Sequence, residues 1–513
     1  MKSNKSNKSS IFSFVTLTGF SLFEKIVAFA YQAVLAAILG ASLVTDSYNS
    51  ASQLFDLVDT TVLGAIVISV IYRFTDISKN KNEAAAFDFL SNISSGLTLL
   101  MGTIAVAIFT FAKPVSYLIA PGFEEAGRPS LVLCIRILCL LPPIMVTASV
   151  RQALLRQKKC FIAVNSRSLC ISLVGMAALI FFSRRYPDKV SILCIGYIIS
   201  NLIFAMVLVI CGNRFGKIRF VIPKIDSDMK ALLLLAVPTI ISTGIVRLSL
   251  MVDQIIASTV GTGAISYLGY AHSLYHLVSN LLIVNLCMIL LTDITNLAIN
   301  DREDEIIARI SSSVSSILLL LLPVTILTVC FSKEIVEIAY QRGAFGAEAT
   351  KQVAGLLLIY AVGFIPSLMN SVYTQVLYSF GKTKWAMYNT LISLGSNIIL
   401  SLIFSRLIGL FGIAVGTTVS QTIAYFAYHV SVKKVLPEYR FAVNMKYIFK
   451  IAVAFAPCLI VIALVKAYIS SALWSFVAAT AGTFALFMVL LILLKEENVM
   501  RYFKVVHSMF AKK

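Results

Sequence analysis

Blocks of twenty or more mostly apolar residues recur along the whole chain. Each is long enough to cross a bilayer as a helix, because about 20 residues span a hydrocarbon core of roughly 30 Å. Fourteen such segments are read at 11–39, 46–72, 86–112, 130–154, 160–183, 190–211, 229–259, 264–293, 309–331, 351–378, 385–405, 410–432, 447–467 and 472–494. Lipid offers no partner to a bare peptide group, so segments of this kind must satisfy their own backbone as helices. The expected fold class is an all-α polytopic membrane protein of about 14 transmembrane helices. Composition agrees, since 59% of residues are apolar, only 13% are charged and mean hydropathy is +0.90. The first block runs to Leu39 and carries Glu24 and Lys25, which makes it a retained helix rather than a cleaved signal.

The net charge of +19 would suit a nucleic-acid partner, but its distribution argues otherwise. With the N-terminus inside, the basic runs RQKK (156–159), NRFGKIRF (213–220) and KKVLPEYR (433–440) all fall on the cytoplasmic side. That asymmetry is the positive-inside pattern, and it implies two cytoplasmic termini and no nucleic acid. The nine cysteines form no CxxC or His/Cys metal pattern.

The chain also repeats itself. APGF at 120–123 is echoed by RGAF at 342–345, an offset of 222 residues. At a similar offset AILGASLVTDSYNSASQLFDLV (37–58) is echoed by ASTVGTGAISYLGYAHSLYHLV (257–278), and FIAVN (161–165) by WAMYN (385–389). Two pseudo-symmetric six-helix lobes follow, at 11–211 and 229–432. They are flanked by a cytoplasmic tail at 1–10, a linker at 212–228, two extra helices within 447–494 and a cytoplasmic tail at 495–513. Six is even, so the lobes run parallel, an arrangement suited to a central cavity that opens to each side in turn.

Charges inside spans are costly, about 2.5–3.5 kcal/mol each on insertion scales, and must pair, face water or snorkel. Lys25, Arg136, Arg151, Arg167 and Arg247 are the intramembrane bases. Helix 1 carries Thr18, Ser21, Lys25 and Gln32 on one face, and helix 2 carries Asp46, Asn49, Gln53, Asp56 and Thr60. Helix 8 carries His272, Ser273, His276, Ser279 and Asn280. From these stripes the expected cavity residues are Lys25, Asp46, Gln53, Asp56, Arg247, His272, Ser273 and His276. Arg151 and Arg167 are read as snorkelling to the inner interface, and Asp59 as a partner available to Lys25. His272 and His276 have metal-capable spacing but no third ligand, so no metal is expected. No P-loop, HExxH or GxSxG occurs, and neither enzyme chemistry nor a cofactor is expected. Energy would then come from an ion gradient or the membrane potential.

These residues resemble the MurJ/MviN lipid II flippases of the multidrug/oligosaccharidyl-lipid/polysaccharide exporter superfamily. The resemblance rests on Thr45-Asp46, APGF, YAHSLYHL (270–277), AYQRGAFGAEAT (339–350), VLYSFGKTK (376–384) and GLFGIAVGTTVS (409–420). It implies two lobes plus a helix 13–14 groove for a lipid tail. It also implies a job in the bacterial inner membrane, carrying an undecaprenyl-pyrophosphate-linked peptidoglycan precursor from the inner to the outer leaflet. The partners implied are that lipid-linked glycan, membrane lipids and the cell-wall synthesis machinery. Against the family pattern, Lys25 and Tyr31 stand where two arginines are usual, YAHS replaces YADR, and Asp59 lies near an expected arginine. A sodium site in some relatives would map to Asp253, Asn389 and Thr418. The alternatives are a flippase for another lipid-linked polysaccharide, a cation-coupled multidrug exporter, and a scaffold that transports nothing.

Overall fold

The computed structural model describes residues 2–279, 290, 294–295, 297, 303–439 and 445–494. All its regular structure is helical among those residues. The first unit comprises Met1–Gly269 and Arg342–Gly346, and the second Tyr270–Gln341 and Ala347–Lys513.

Unit one begins with α1 (Lys2–Leu39) and α2 (Leu43–Val58), and a π-helical turn (Asp59–Leu63) joins α2 to α3 (Gly64–Asn80). Next come α4 (Glu83–Thr110), α5 (Ala112–Ile119), α6 (Arg128–Leu138) and α7 (Leu141–Gln157). The short α8 (Phe161–Asn165) precedes α9 (Arg167–Phe182), α10 (Lys189–Gly212) and α11 (Ser227–Ser258). Unit two takes up most of α12 (Ala264–Ser279), which starts in unit one. It continues with α13 (Glu303–Cys330), α14 (Ser332–Tyr340), α15 (Ala347–Val362), α16 (Phe364–Ser379), α17 (Thr383–Ile408) and α18 (Leu410–Val435). The chain closes with α19 (Met445–Tyr468) and α20 (Ala472–Leu493).

Among the described residues ten helices are long and apolar enough to span a membrane, and α15 with α16 meet the same criteria only together, across a bend of 45°. Three expected spans look different. The fifth is split, leaving a mostly apolar helix of sixteen residues in α9. The seventh is the 32-residue α11, which carries Arg247 and Asp253. The eighth is helical to Ser279, and its remainder, with Asn280 and Asp293, lies outside the described residues.

The core of unit one forms where α3, α4, α7, α10 and α11 bury their apolar faces together, around Phe74, Phe89, Val146, Leu154, Phe204 and Leu232. The segment before α11 is held along α4 by side chains that replace a strand partner. Ser91 and Ser95 hydroxyls accept from Arg219 N and Val221 N at 3.1 and 2.9 Å, and Asn92 accepts from Lys224 N at 2.7 Å. Arg73 ties the start of α11 through Asp228.

The sequence repeat reappears as two equivalent clasps in unit one. Gly122 of APGF donates to Ser258 Oγ at the end of α11, at 3.3 Å. Its counterpart RGAF packs on the end of α1, where Ala344 N donates to Ala37 O at 2.8 Å. Gly40 and Gly343 both take positive φ, 61° and 56°, and a Cβ on Gly40 would stand 2.6 Å from Ala344 O. Only glycine combines that backbone with that approach.

In unit two α17 and α18 lie against each other closely enough that a Cβ on Gly416 would meet Ser401 N at 2.6 Å, the small-residue packing usual in membranes. The last two helices dock on α13 and α14 through Leu319, Phe455, Phe487, Phe331 and Ile462. Lys466 reinforces them with an ion pair to Glu334 at 2.8 Å.

Candidate functional site

The π-helical turn is where unit one departs from regular geometry. Gly64 N bonds to Asp59 O across five residues, and the Thr60 hydroxyl donates to Asp56 O at 2.6 Å. A widened turn of this kind inside a span is frequently functional. Here it presents Asp56 and Asp59 toward α9 and α10. Two carboxylates inside a membrane demand compensation. Arg167, at the first turn of α9, supplies it. Its guanidinium bonds Asp59, stands 3.7 Å from Asp56 and donates through Nε to Asn201 Oδ1 at 3.2 Å. Tyr197 donates its hydroxyl to Asp56 at 2.9 Å, and Asn201 is oriented by its own bond to Tyr197 O. The cluster borders a small cavity closed by Leu63, Leu141, Pro142 and Met145. Arg247, exposed on α11, lies within electrostatic reach of Asp59.

Lys25 is one partner open to Asp59 in the sequence, but the structure gives Asp59 to Arg167, and it corrects the expectation that Arg167 snorkels to the interface. Arg167 is drawn inward because Asp56 and Asp59, three residues apart on one face, leave a negative site that a guanidinium can bridge. The signal in the sequence was this pair of intramembrane acids without a base on their own helix. The notable absence at Tyr31 also has a structural account. Tyr31 is buried, its ring would be met by any Cβ on Gly175, and it is hydrogen-bonded to Tyr48. Tyr48 in turn sets its ring edge against Tyr197, centroids 6.1 Å apart. The aromatic network of Tyr31, Tyr48 and Tyr197 thus ends on the Asp56 carboxylate.

Among the other expected residues of unit one, Lys25 is exposed on α1 beside the buried Glu24, and Gln53 is half-buried on α2. Asp46 is not an open cavity group. It is 1% exposed, and its oxygens accept from Gly263 N, Ser266 N and Ser266 Oγ at 2.5–2.8 Å. It caps the start of α12, whose first amides have no partners within the helix.

In unit two His272, Ser273 and His276 share one stretch of α12. His272 sits against His276 and Tyr360, ring centroids 5.8 and 4.7 Å away, and Ser273 bonds Tyr340. Tyr275 stacks on Phe364 at 4.9 Å. The residues proposed for sodium do not form one ligand set within this unit. Asn389 pairs with Ser431 at 2.9 Å, whereas Thr418 donates to Ile359 O at 3.2 Å. Ser431 and Thr418 are thirteen residues apart on α18, about 20 Å along the axis. Asp253 is buried on α11 in unit one.

This helical architecture is shared with solved transporters. It matches a structure titled lipid II flippase MurJ, inward closed conformation, with a TM-score of 0.82 at 21% identity, covering 94% of this chain and 99% of that one. It also matches an inward-facing multidrug resistance transporter of the MATE family, with a TM-score of 0.65 at 11% identity, over 81% and 94% of the two chains. The chain is therefore a multi-pass membrane protein with the fold that these two structures share. The family model for the lipid II flippase MurJ matches residues 35–495. Probable lipid II flippases MurJ from Rickettsia prowazekii (strain Madrid E) and Rhizobium meliloti (strain 1021) are 25% and 26% identical to it. Each comparison covers 79% of this chain, and 80% and 77% of the respective relative. The chain belongs to the MurJ lipid II flippase family.

Proposed function

We propose that this protein carries a lipid-linked cell-wall precursor, lipid II, from the inner to the outer leaflet of the bacterial inner membrane by alternating access, with both termini cytoplasmic. A pyrophosphate with attached sugars cannot enter hydrocarbon bare, because its lost hydration must be replaced. The observation that carries the reading is a set of membrane-embedded cations in one unit. Lys25 and Arg247 are exposed, and Arg167 is held between two carboxylates. Arg167 compensates for the arginines missing from the family pattern. Its side chain is 25% exposed, so an anionic headgroup can compete for it with Asp56 and Asp59. His272, Ser273 and His276 offer hydrogen-bonding groups to the sugar or phosphate. A sodium ion or the membrane potential supplies the energy, and the cell-wall synthesis machinery delivers and receives the cargo.

The test is rescue of a bacterium depleted of its own lipid II flippase, with membrane insertion checked in parallel. Growth with normal shape is expected, and lysis despite full insertion would overturn the reading. One observation favours a second reading, export of a cationic compound. The Asp56 side chain is 43% exposed and negative. On that reading overexpression would raise resistance to cationic drugs and Asp56→Asn would abolish the effect, whereas the flippase reading expects no resistance.

A further inference from the structure

Outside the polar cluster, unit one carries an apolar trough of about 600 Å3 between α9 and α10. That volume is within the range of sites that enclose an organic ligand. Its floor is made of small and branched side chains, among them Val174, Ala177, Ala178, Ile195 and Ile199. Gly196 lets α10 approach Ala178, whose Cβ would stand 3.2 Å from a Cβ at that glycine. Its rim is aromatic. Phe181 and Phe182 are exposed, and Phe182 lies 6.2 Å from the Tyr186 ring. Beyond the rim the turn exposes Arg184 and Arg185, with Lys189 next to them.

This sequence of surfaces, hydrocarbon then aromatic collar then paired guanidinium groups, is the order met when crossing from acyl chains to phosphate in a lipid leaflet. The length of α9 fits that placement. It begins at Arg167, inside the expected span at 160–183, and its sixteen residues rise about 24 Å, so the Arg184–Arg185 turn follows directly on the end of that span. The one acid at the mouth, Asp188, is committed to capping α10, where it accepts from Ser191 N at 3.1 Å and Ser191 Oγ at 2.6 Å. The mouth therefore keeps a positive balance facing outward.

We infer that the α9–α10 trough is a binding site for one anionic phospholipid, with an acyl chain in the trough and the phosphate on Arg184 and Arg185. The site is distinct from the Asp56–Asp59–Arg167 cluster and does not depend on what the protein carries. A lipid seated there packs along α9, the helix that presents Arg167.

The experiment uses the purified full chain in detergent, equilibrated with equal amounts of phosphatidylglycerol and phosphatidylcholine of the same acyl chains, with retained lipid measured by mass spectrometry. Each basic group near the phosphate level contributes enough for the two arginines together to give roughly thirtyfold enrichment of the anionic lipid. The doubly substituted R184Q/R185Q variant should retain both lipids equally, and Ala177→Phe, which fills the trough, should lower retention of both. Equal retention by the unaltered protein, or enrichment that survives in R184Q/R185Q, would overturn the site. So would an Ala177→Phe variant that holds phosphatidylglycerol as well as before, since the arginines would then be acting without the trough. Undecaprenyl phosphate is added as a third probe. If it displaces phosphatidylglycerol from the unaltered protein but not from the Ala177→Phe variant, the trough holds a polyprenyl tail, and the phospholipid assignment fails.

Discussion

Asp56, Asp59 and Arg167 form a triad in which every member is expensive alone. Removing one member of a partly buried ion pair leaves the other charge uncompensated, at about 3–5 kcal/mol where burial is complete. Side-chain exposures of 13% for Asp59 and 25% for Arg167 place this pair toward the lower end of that range. Arg167→Ala should therefore lower the thermal unfolding midpoint of the purified protein. Arg167→Ala combined with Asp59→Ala should recover much of the loss, and additive effects in that double-mutant cycle would refute the pairing. Lys25→Ala is expected to behave differently. Lys25 is exposed, so stability should hardly change while rescue of a flippase-depleted strain is lost. Unimpaired rescue would remove Lys25 from the headgroup path. Of this site, the chemistry of the residues was legible in the sequence and the pairing was not. Periodicity puts Asp56 and Asp59 on one face of a helix, but it says nothing about a base more than a hundred residues away on α9.

At the scale of elements, two short motifs do more than their length suggests. Asp46 holds the start of α12 by accepting three hydrogen bonds, from the Gly263 and Ser266 amides and the Ser266 hydroxyl, and each bond to a charged acceptor contributes about 1.5–3 kcal/mol. Asp46→Ala should cause loss of folded protein from the membrane, while Asp46→Asn, which keeps one acceptor, should cost less; the two can be ranked by detergent-solubilised yield and unfolding temperature. The RGAF clasp makes a parallel case. Gly343 holds φ at 56° with Ala37 against it, so Gly343→Val would force the segment off the end of α1. Loss of rescue with the protein still inserted is the expected outcome, and wild-type growth would show that the clasp is dispensable. Both motifs stood out in the sequence as family signatures and repeat partners. Their mode of action was hidden, because a capping carboxylate and a cavity carboxylate look alike until the amides around them are known.

For the whole molecule, the expectation of a polytopic helical protein rested on span length and needed no tertiary information. The exact partition did need it. The lobe expected at 11–211 lies inside a unit that also takes in α11 and the start of α12, because α11 buries its face on α3 and the π-helical turn. Membrane orientation is also a property of the whole molecule, since it depends on the summed loop charges. Reporter fusions after Lys159, Phe220 and Lys434 should read as cytoplasmic, and fusions in the 183–188 turn and after Ser471 as external. The reverse pattern would invert the direction of transport proposed here.

What the sequence determined alone was the solvent. A chain that is 59% apolar and 13% charged, broken into spans of bilayer length, can only fold with lipid around it, and its basic loops orient it. What the tertiary structure decided was which charges meet. Hydrophobic burial follows from local composition, but an ion pair depends on distances between helices that are remote in the chain. So Lys25, Arg167, Asp46 and Asp59, all visible as costly residues in the sequence, received their separate roles only when α1, α2, α9 and α12 were packed.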